Sequence, residues 1–127
     1  MATAFKNYTA QSIGTTAYYL ISQNSGAFNG GVAGLTSGKA VIMVGLMISN
    51  RLTTSINVDV AHYQNAGTKT TYLAKTFSIP AGDAVEIVQG KIVLVGSDDI
   101  SVVSNTSSSA DVRSEEHTSE LQSHLNL

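Results

Sequence analysis

At 127 residues the chain has the length of one domain, large enough for a real core and too small for two. It has no Cys, no Trp and a single Pro, which excludes disulfides and thiolate metal sites, while abundant Thr, Ser, Val, Ala and Gly favour strands and turns. The formal charge is −2, and residues 1–112 balance six basic against six acidic side chains, so there is no basic footprint for nucleic acid and little charge to oppose self-association.

The opening Met1-Ala2-Thr3-Ala4-Phe5-Lys6 lacks the charged-then-apolar pattern of a signal peptide, and no apolar run approaches the roughly 20 residues of a membrane-spanning helix. A soluble product made in the cytoplasm, without a membrane partner, is expected. Residues 5–12 and 15–22 read as two strands joined at Gly14, with Tyr18 and Leu20 on one face of the second and Ala17, Tyr19 and Ile21 on the other. Residues 23–38 read as a Gly-, Asn- and Ser-rich loop longer than ordinary connections, and Phe28, Val32 and Leu35 are its candidate contacts to the domain surface or to a neighbouring subunit. Its end, Ala33-Gly34-Leu35-Thr36-Ser37-Gly38-Lys39-Ala40, superficially matches a phosphate-binding loop. The match fails because Ala40 stands where a magnesium-holding hydroxyl is needed and a strand follows instead of a helix. No cofactor is expected.

Residues 40–48 form the longest apolar run, broken only by Gly45, and read as a strand buried on both faces. Strict alternation puts Ile42, Val44, Leu46 and Ile48 on one face. Val41, Met43 and Met47 fall on the other and are candidate outer-face contacts to a further layer or subunit. Residues 54–63 alternate cleanly, with Ile56, Val58 and Val60 inward, Ser55, Asn57 and Asp59 outward, and His62 closing the inward face. A packed or rim position is the expectation for His62, since no second ligand or nucleophile accompanies it.

Further strands are expected over 69–77, 84–88, 91–95 and 100–104, the middle two as a hairpin around Gly90, with Ile79-Pro80-Ala81-Gly82-Asp83 as a turn. Asp83, Asp98 and Asp99 lack the ligand spacing of a calcium loop and read as turn acids bonding their own backbone. With one His before residue 113, no Cys and no paired acids at a credible spacing, no catalytic residue and no metal site can be named, and the chain is expected not to be an enzyme. Together the elements give an all-β fold, an antiparallel β-sandwich of jelly-roll or Ig-like type with about eight short strands.

At Arg113 the character changes. Arg113-Ser114-Glu115-Glu116-His117-Thr118-Ser119-Glu120-Leu121-Gln122-Ser123-His124 resembles the in-frame translation of a common sequencing adapter, which implies a metagenomic assembly that stopped inside the gene. The expected organisation is therefore a sandwich domain at 1–112, its last strand cut at Val112 and leaving an unpaired edge, followed by an adapter-derived segment at 113–127 without native structure.

One family pattern runs through residues 1–112. It is carried by Met1-Ala2-Thr3-Ala4-Phe5-Lys6-Asn7-Tyr8 and Gln11-Ser12-Ile13-Gly14-Thr15, then by Ser78-Ile79-Pro80-Ala81-Gly82-Asp83-Ala84-Val85-Glu86-Ile87. Gly90-Lys91-Ile92-Val93-Leu94, Gly96-Ser97-Asp98-Asp99-Ile100-Ser101-Val102 and Ser108-Ser109-Ala110-Asp111-Val112 complete it. On these residues the sequence resembles a family of small virion structural proteins of tailed bacteriophages, marine ones especially. The resemblance implies a head decoration, neck or tail-associated subunit located in the virion. Its partners would be other virion proteins and further copies of itself. The alternative on the same kind of sandwich is a carbohydrate-binding or receptor-adhesion module using Tyr8, Tyr18, Tyr19, Tyr63 and Tyr72.

Overall fold

The computed structural model describes residues 4–22, 28–33, 39–64, 69–95 and 98–120, the side chains of 4–6, 21, 22, 28–33, 39 and 117–120 excepted. They form β1 (Ala4–Ile13), β2 (Tyr18–Ser22), β3 (Phe28–Ala33), β4 (Lys39–Asn50), β5 (Ile56–Gln64), β6 (Lys69–Ile79), β7 (Ala84–Glu86), β8 (Ile92–Val95), β9 (Asp99–Ser104) and β10 (Ala110–Glu120). The all-β expectation holds, with ten strands described in place of about eight.

Two five-stranded sheets face each other. In the first, β1, β10 and β4 lie side by side, and β7 and β8 both pair with β4 at its far edge; the second has the order β3-β2-β9-β5-β6. All pairings are antiparallel except the edge pair β2–β3. The order has a simple origin. β1 pairs with β10, β2 with β9, β4 with β7 and β8, and β5 with β6, so the chain is one long hairpin with its tip between β5 and β6, rolled up into two sheets. Counting β7 and β8 as one interrupted strand and β3 as an added edge, this is the jelly-roll topology.

The core lies between the sheets. Ile56, Val58 and Val60 from β5, Ile100 and Val102 from β9, Leu20 from β2 and Val41, Met43, Leu46 and Ile48 from β4 are each 2 % exposed or less. The β5 alternation read from the sequence is the observed one, and Leu20 and Tyr18 both face this core.

Four expectations need correction. The stretch 40–48 is not buried on both faces, nor does it alternate strictly. A bulge sets Glu115 opposite Gly45 but Glu116 opposite Met43, so the parity of β4 reverses at Val44. Val41 and Met43 therefore enter the core beside Leu46 and Ile48, while Ile42, Val44 and Met47 turn outward. Second, 84–88 and 91–95 do not form a hairpin. β7 pairs with Met47–Ser49 and β8 with Ala40–Met43, end to end along β4, which at 12 residues is long enough to take both. Third, part of the predicted loop 23–38 is strand β3.

The fourth concerns the C-terminal segment. No cut edge follows Val112: β10 continues to Glu120, paired with β4 throughout and with β1 as far as Thr118. Its inward side reads Ala110, Val112, Ser114, Glu116, all buried, so the apolar pattern stops at Val112 although the strand does not. Glu116, 1 % exposed, is placed opposite Met43 and accepts a hydrogen bond from the Ser114 hydroxyl at 3.3 Å.

Tight packing explains two joints. Gly14 meets the β9–β10 turn so closely that a Cβ would lie 3.1 Å from Ser107 Cα. The 80–83 turn closes with the Asp83 N–H donating to the Pro80 carbonyl at 3.1 Å, placing Gly82 at the third position with φ 69°, where a side chain would be strained.

Candidate interaction faces

With the core accounted for, the chemistry left to describe lies on the outer faces of the two sheets and at one buried pair. On the first sheet, Val44 and Met47 of β4 are each 42 % exposed, and Val93 and Val95 of β8 are 49 % and 38 % exposed. Val93 sits opposite Ile42, so these side chains form an apolar strip on one face beside the edge that β7 and β8 make among the described residues. Glu86 bounds the strip, its Oε2 accepting the Leu46 N–H at 2.5 Å. Of the three candidate outer-face contacts, only Met47 is on the outer face; Val41 and Met43, both 0 % exposed, are core. Sequence reasoning missed Val44, Val93 and Val95, because strict alternation assigned Val44 inward and no periodicity tells which face of a four-residue strand is covered. Of the loop candidates, Phe28 and Val32 lie in β3, their side chains outside the described residues, and Leu35 lies outside them altogether.

Strand position and cross-strand register sort the five tyrosines. Tyr8, on β1 of the first sheet, and Tyr18, on β2 of the second, pack against the core. Tyr19 is opposite Ser101, Ser101 opposite Ala61, and Ala61 opposite Tyr72, which brings Tyr19, Ser101 and Tyr72 to one face in a single row. Tyr63, two residues along β5, joins them: its ring centroid is 6.2 Å from that of Tyr19, and its hydroxyl accepts from Ser101 Oγ at 3.3 Å. Along the same face, Asp59 accepts from the Thr76 N–H at 2.6 Å and from Lys75 Nζ at 3.1 Å, and Lys75 Nζ lies 4.7 Å above the Tyr72 ring. Burial pushes the Asp59 carboxyl up, but the Thr76 N–H and the Lys75 hydrogen bond and charge together outweigh it and hold it below the ordinary carboxylate value. Asp59 carboxylate and Lys75 ammonium neutralise one another at this spot. Next to them is an open cleft of about 220 Å³ lined by Asn57, Asp59, Thr76, Val103, Ser104 and Asn105.

His62 is packed, one of the two positions expected for it. It is 9 % exposed, and its Nε2 lies 3.1 Å from Asp98 Oδ2, which also accepts the Val95 N–H at 3.2 Å. The pair ties β5 to the crossing from β8 to β9, that is, one sheet to the other. Asp83 likewise bonds the Ala84 N–H, at 2.8 Å. Among the described residues no three His, Asp or Glu side chains converge as a metal site.

Fold and faces together define a jelly-roll β-sandwich with one apolar and one tyrosine-bearing outer face. No family model and no curated protein matches the sequence. Among solved structures the chain is similar to that of infectious bursal disease virus Gx strain, at 14 % identity and a TM-score of 0.47, covering 91 % of this chain and 35 % of that one. It is also similar to the infectious bursal disease virus VP2 subviral particle, at 12 % identity and a TM-score of 0.42, covering 92 % of this chain and 36 % of that one. The chain thus spans about a third of the length of these viral chains.

Proposed function

We propose that the protein is a non-enzymatic virion structural subunit of a tailed bacteriophage, a head decoration, neck or tail-associated component that self-assembles and docks on other virion proteins. The observation that carries the reading is the apolar strip of Val44, Met47, Val93 and Val95 beside the β7–β8 edge. A sheet edge offers unpaired backbone groups and the strip offers area to bury, which together suit side-by-side contact between copies. Near-zero charge on residues 1–112 places little repulsion in the way, and the phage reading itself rests on the turn and strand-end motifs shared with that family.

The test is sedimentation velocity across a concentration series, with negative-stain images of the heaviest species. Defined oligomers should grow in with concentration, and Val93→Asp should return them to monomer while leaving the thermal midpoint within a few degrees. A chain that stays monomeric at every concentration, alone and mixed with phage capsid or tail proteins, rules the reading out.

Residues 113–127 belong to this proposal as adapter-derived sequence, of which 113–120 occupy the place of the final strand. The support is the switch on the inward side of β10 from Ala110 and Val112 to Ser114 and Glu116. A long read of the source DNA across the codons for Val112 and Arg113 tests it; genomic codons matching this segment would overturn it.

A further inference from the structure

We infer that the outer face of the β2-β9-β5-β6 sheet binds an uncharged oligosaccharide. This goes beyond a structural role, which uses the opposite sheet. Three features meet on this one face. The first is aromatic: Tyr72, half exposed, lies across buried Ser101 and Ala61 from Tyr19, and Tyr19 and Tyr63, partly exposed, are inclined at 35° to one another, so the face offers ring surface at two places against which sugar C–H faces stack. The second is the cleft of about 220 Å³, whose Asn57, Asp59, Thr76 and Asn105 mix amide, carboxylate and hydroxyl groups at short range, the combination that hydroxyl-rich ligands need as both donors and acceptors. The third is charge: Asp59 and Lys75 cancel, so the site favours neither an anion nor a cation.

The row and the cleft are one site because Lys75 spans them, its ammonium on Asp59 at 3.1 Å and over the Tyr72 ring at 4.7 Å. Asp59 and Tyr63 are four residues apart on β5, roughly 13 Å at the rise of a strand, which is the reach of several linked rings and exceeds that of one. A preformed bed of this kind sets specificity by ring stacking and hydroxyl bonding without any catalytic group, so the ligand leaves unchanged.

The test uses the full chain on an array of hexose and N-acetylhexosamine oligosaccharides and bacterial surface polysaccharide fragments, followed by calorimetric titration of the best responder at one to four units. Affinity should rise with chain length. Tyr72→Ala, at an exposed position, should weaken it about three- to tenfold, the value of one stacked ring. Asp59→Asn, which removes the cleft's carboxylate while keeping its shape, should also weaken it. Both variants should keep the oligomeric state of the parent, which separates this site from the assembly strip. Absence of binding to every probe by the folded protein overturns the inference. So does binding that neither variant alters, or amide shifts on titration that map to the other sheet.

Discussion

Asn50 shows how much a single side chain can hold. It is 2 % exposed at the end of β4, where its Nδ2 points at the carbonyls of Thr54 at 2.8 Å, Ile79 at 3.0 Å and Pro80 at 3.2 Å, and its Oδ1 accepts the Leu52 N–H at 2.8 Å. One amide thus fastens the β4–β5 turn to the end of β6. Replacement by Asp keeps the shape but turns the donor into an acceptor facing three carbonyl oxygens. Asn50→Asp should cost about 2–4 kcal/mol by urea denaturation, and a loss under 1 kcal/mol would show the clamp to be dispensable. Glu116 is a charged residue type set in the core opposite Met43, its Oε1 accepting the Ser114 hydroxyl at 3.3 Å. Burying a carboxylate is expensive, and replacing a buried charge together with its polar partner by apolar residues is often stabilising. Replacing Ser114 and Glu116 together by Val should therefore raise stability by about 1–4 kcal/mol. If it lowers stability instead, Glu116 is an integrated core residue and the adapter reading loses its structural support.

At the scale of elements, the β5–β6 pair is shaped by its irregularities. Asp59 stands between Val58 and Val60, which face Phe77 and Ala74, so Lys75 and Thr76 bulge out of β6 opposite one residue. Thr76 takes φ 51° there, unfavourable for a β-branched side chain, and the Asp59 carboxylate holds its N–H in place. Because Asp59 is held below its ordinary value, it stabilises the fold at pH above its unfolded value, and that contribution is lost as pH falls through the folded value. Thermal melts should thus show the parent losing stability below about pH 4, with a shallower slope for Asp59→Asn. Equal slopes would mean the carboxylate does not clamp the bulge. Replacing Thr76 with Gly should relieve strain and raise stability by about 1 kcal/mol, read from the same melts at neutral pH.

These irregularities also mark where sequence reading runs out. In the regular run from Ile56 to Val60, period alone identifies the inward face, which is the observed one. In β4 the same rule succeeds for Leu46 and Ile48 and fails for Val41 and Met43, because a bulge at Val44 reverses parity. Nothing in Met43-Val44-Gly45 announces that bulge, since it arises from the register β4 takes against β10, about seventy residues away.

For the whole molecule, the rolled hairpin sets the first strand beside the last and places β10 inside its sheet, so assembly of that sheet depends on residues at both ends of the sequence. Most contacts are long range, which predicts slow folding for a domain this size, in the millisecond-to-second range by stopped-flow refolding. The same rolling puts the apolar strip and the tyrosine row on opposite outer faces, leaving assembly and ligand binding free to operate together.

What could be read from the sequence was local: strand-forming composition, the turns at Gly14 and Pro80, and the inward series Ile56, Val58, Val60 and His62. Each of these depends on backbone preference or on neighbours a few residues apart. Tertiary structure alone decided that β7 and β8 share β4, that β3 is an edge strand, that Tyr19, Tyr63 and Tyr72 separate from Tyr8 and Tyr18, and that Ser114 and Glu116 face the core. Those outcomes follow from which distant strands pair and in what register, and period-2 patterning is blind to both.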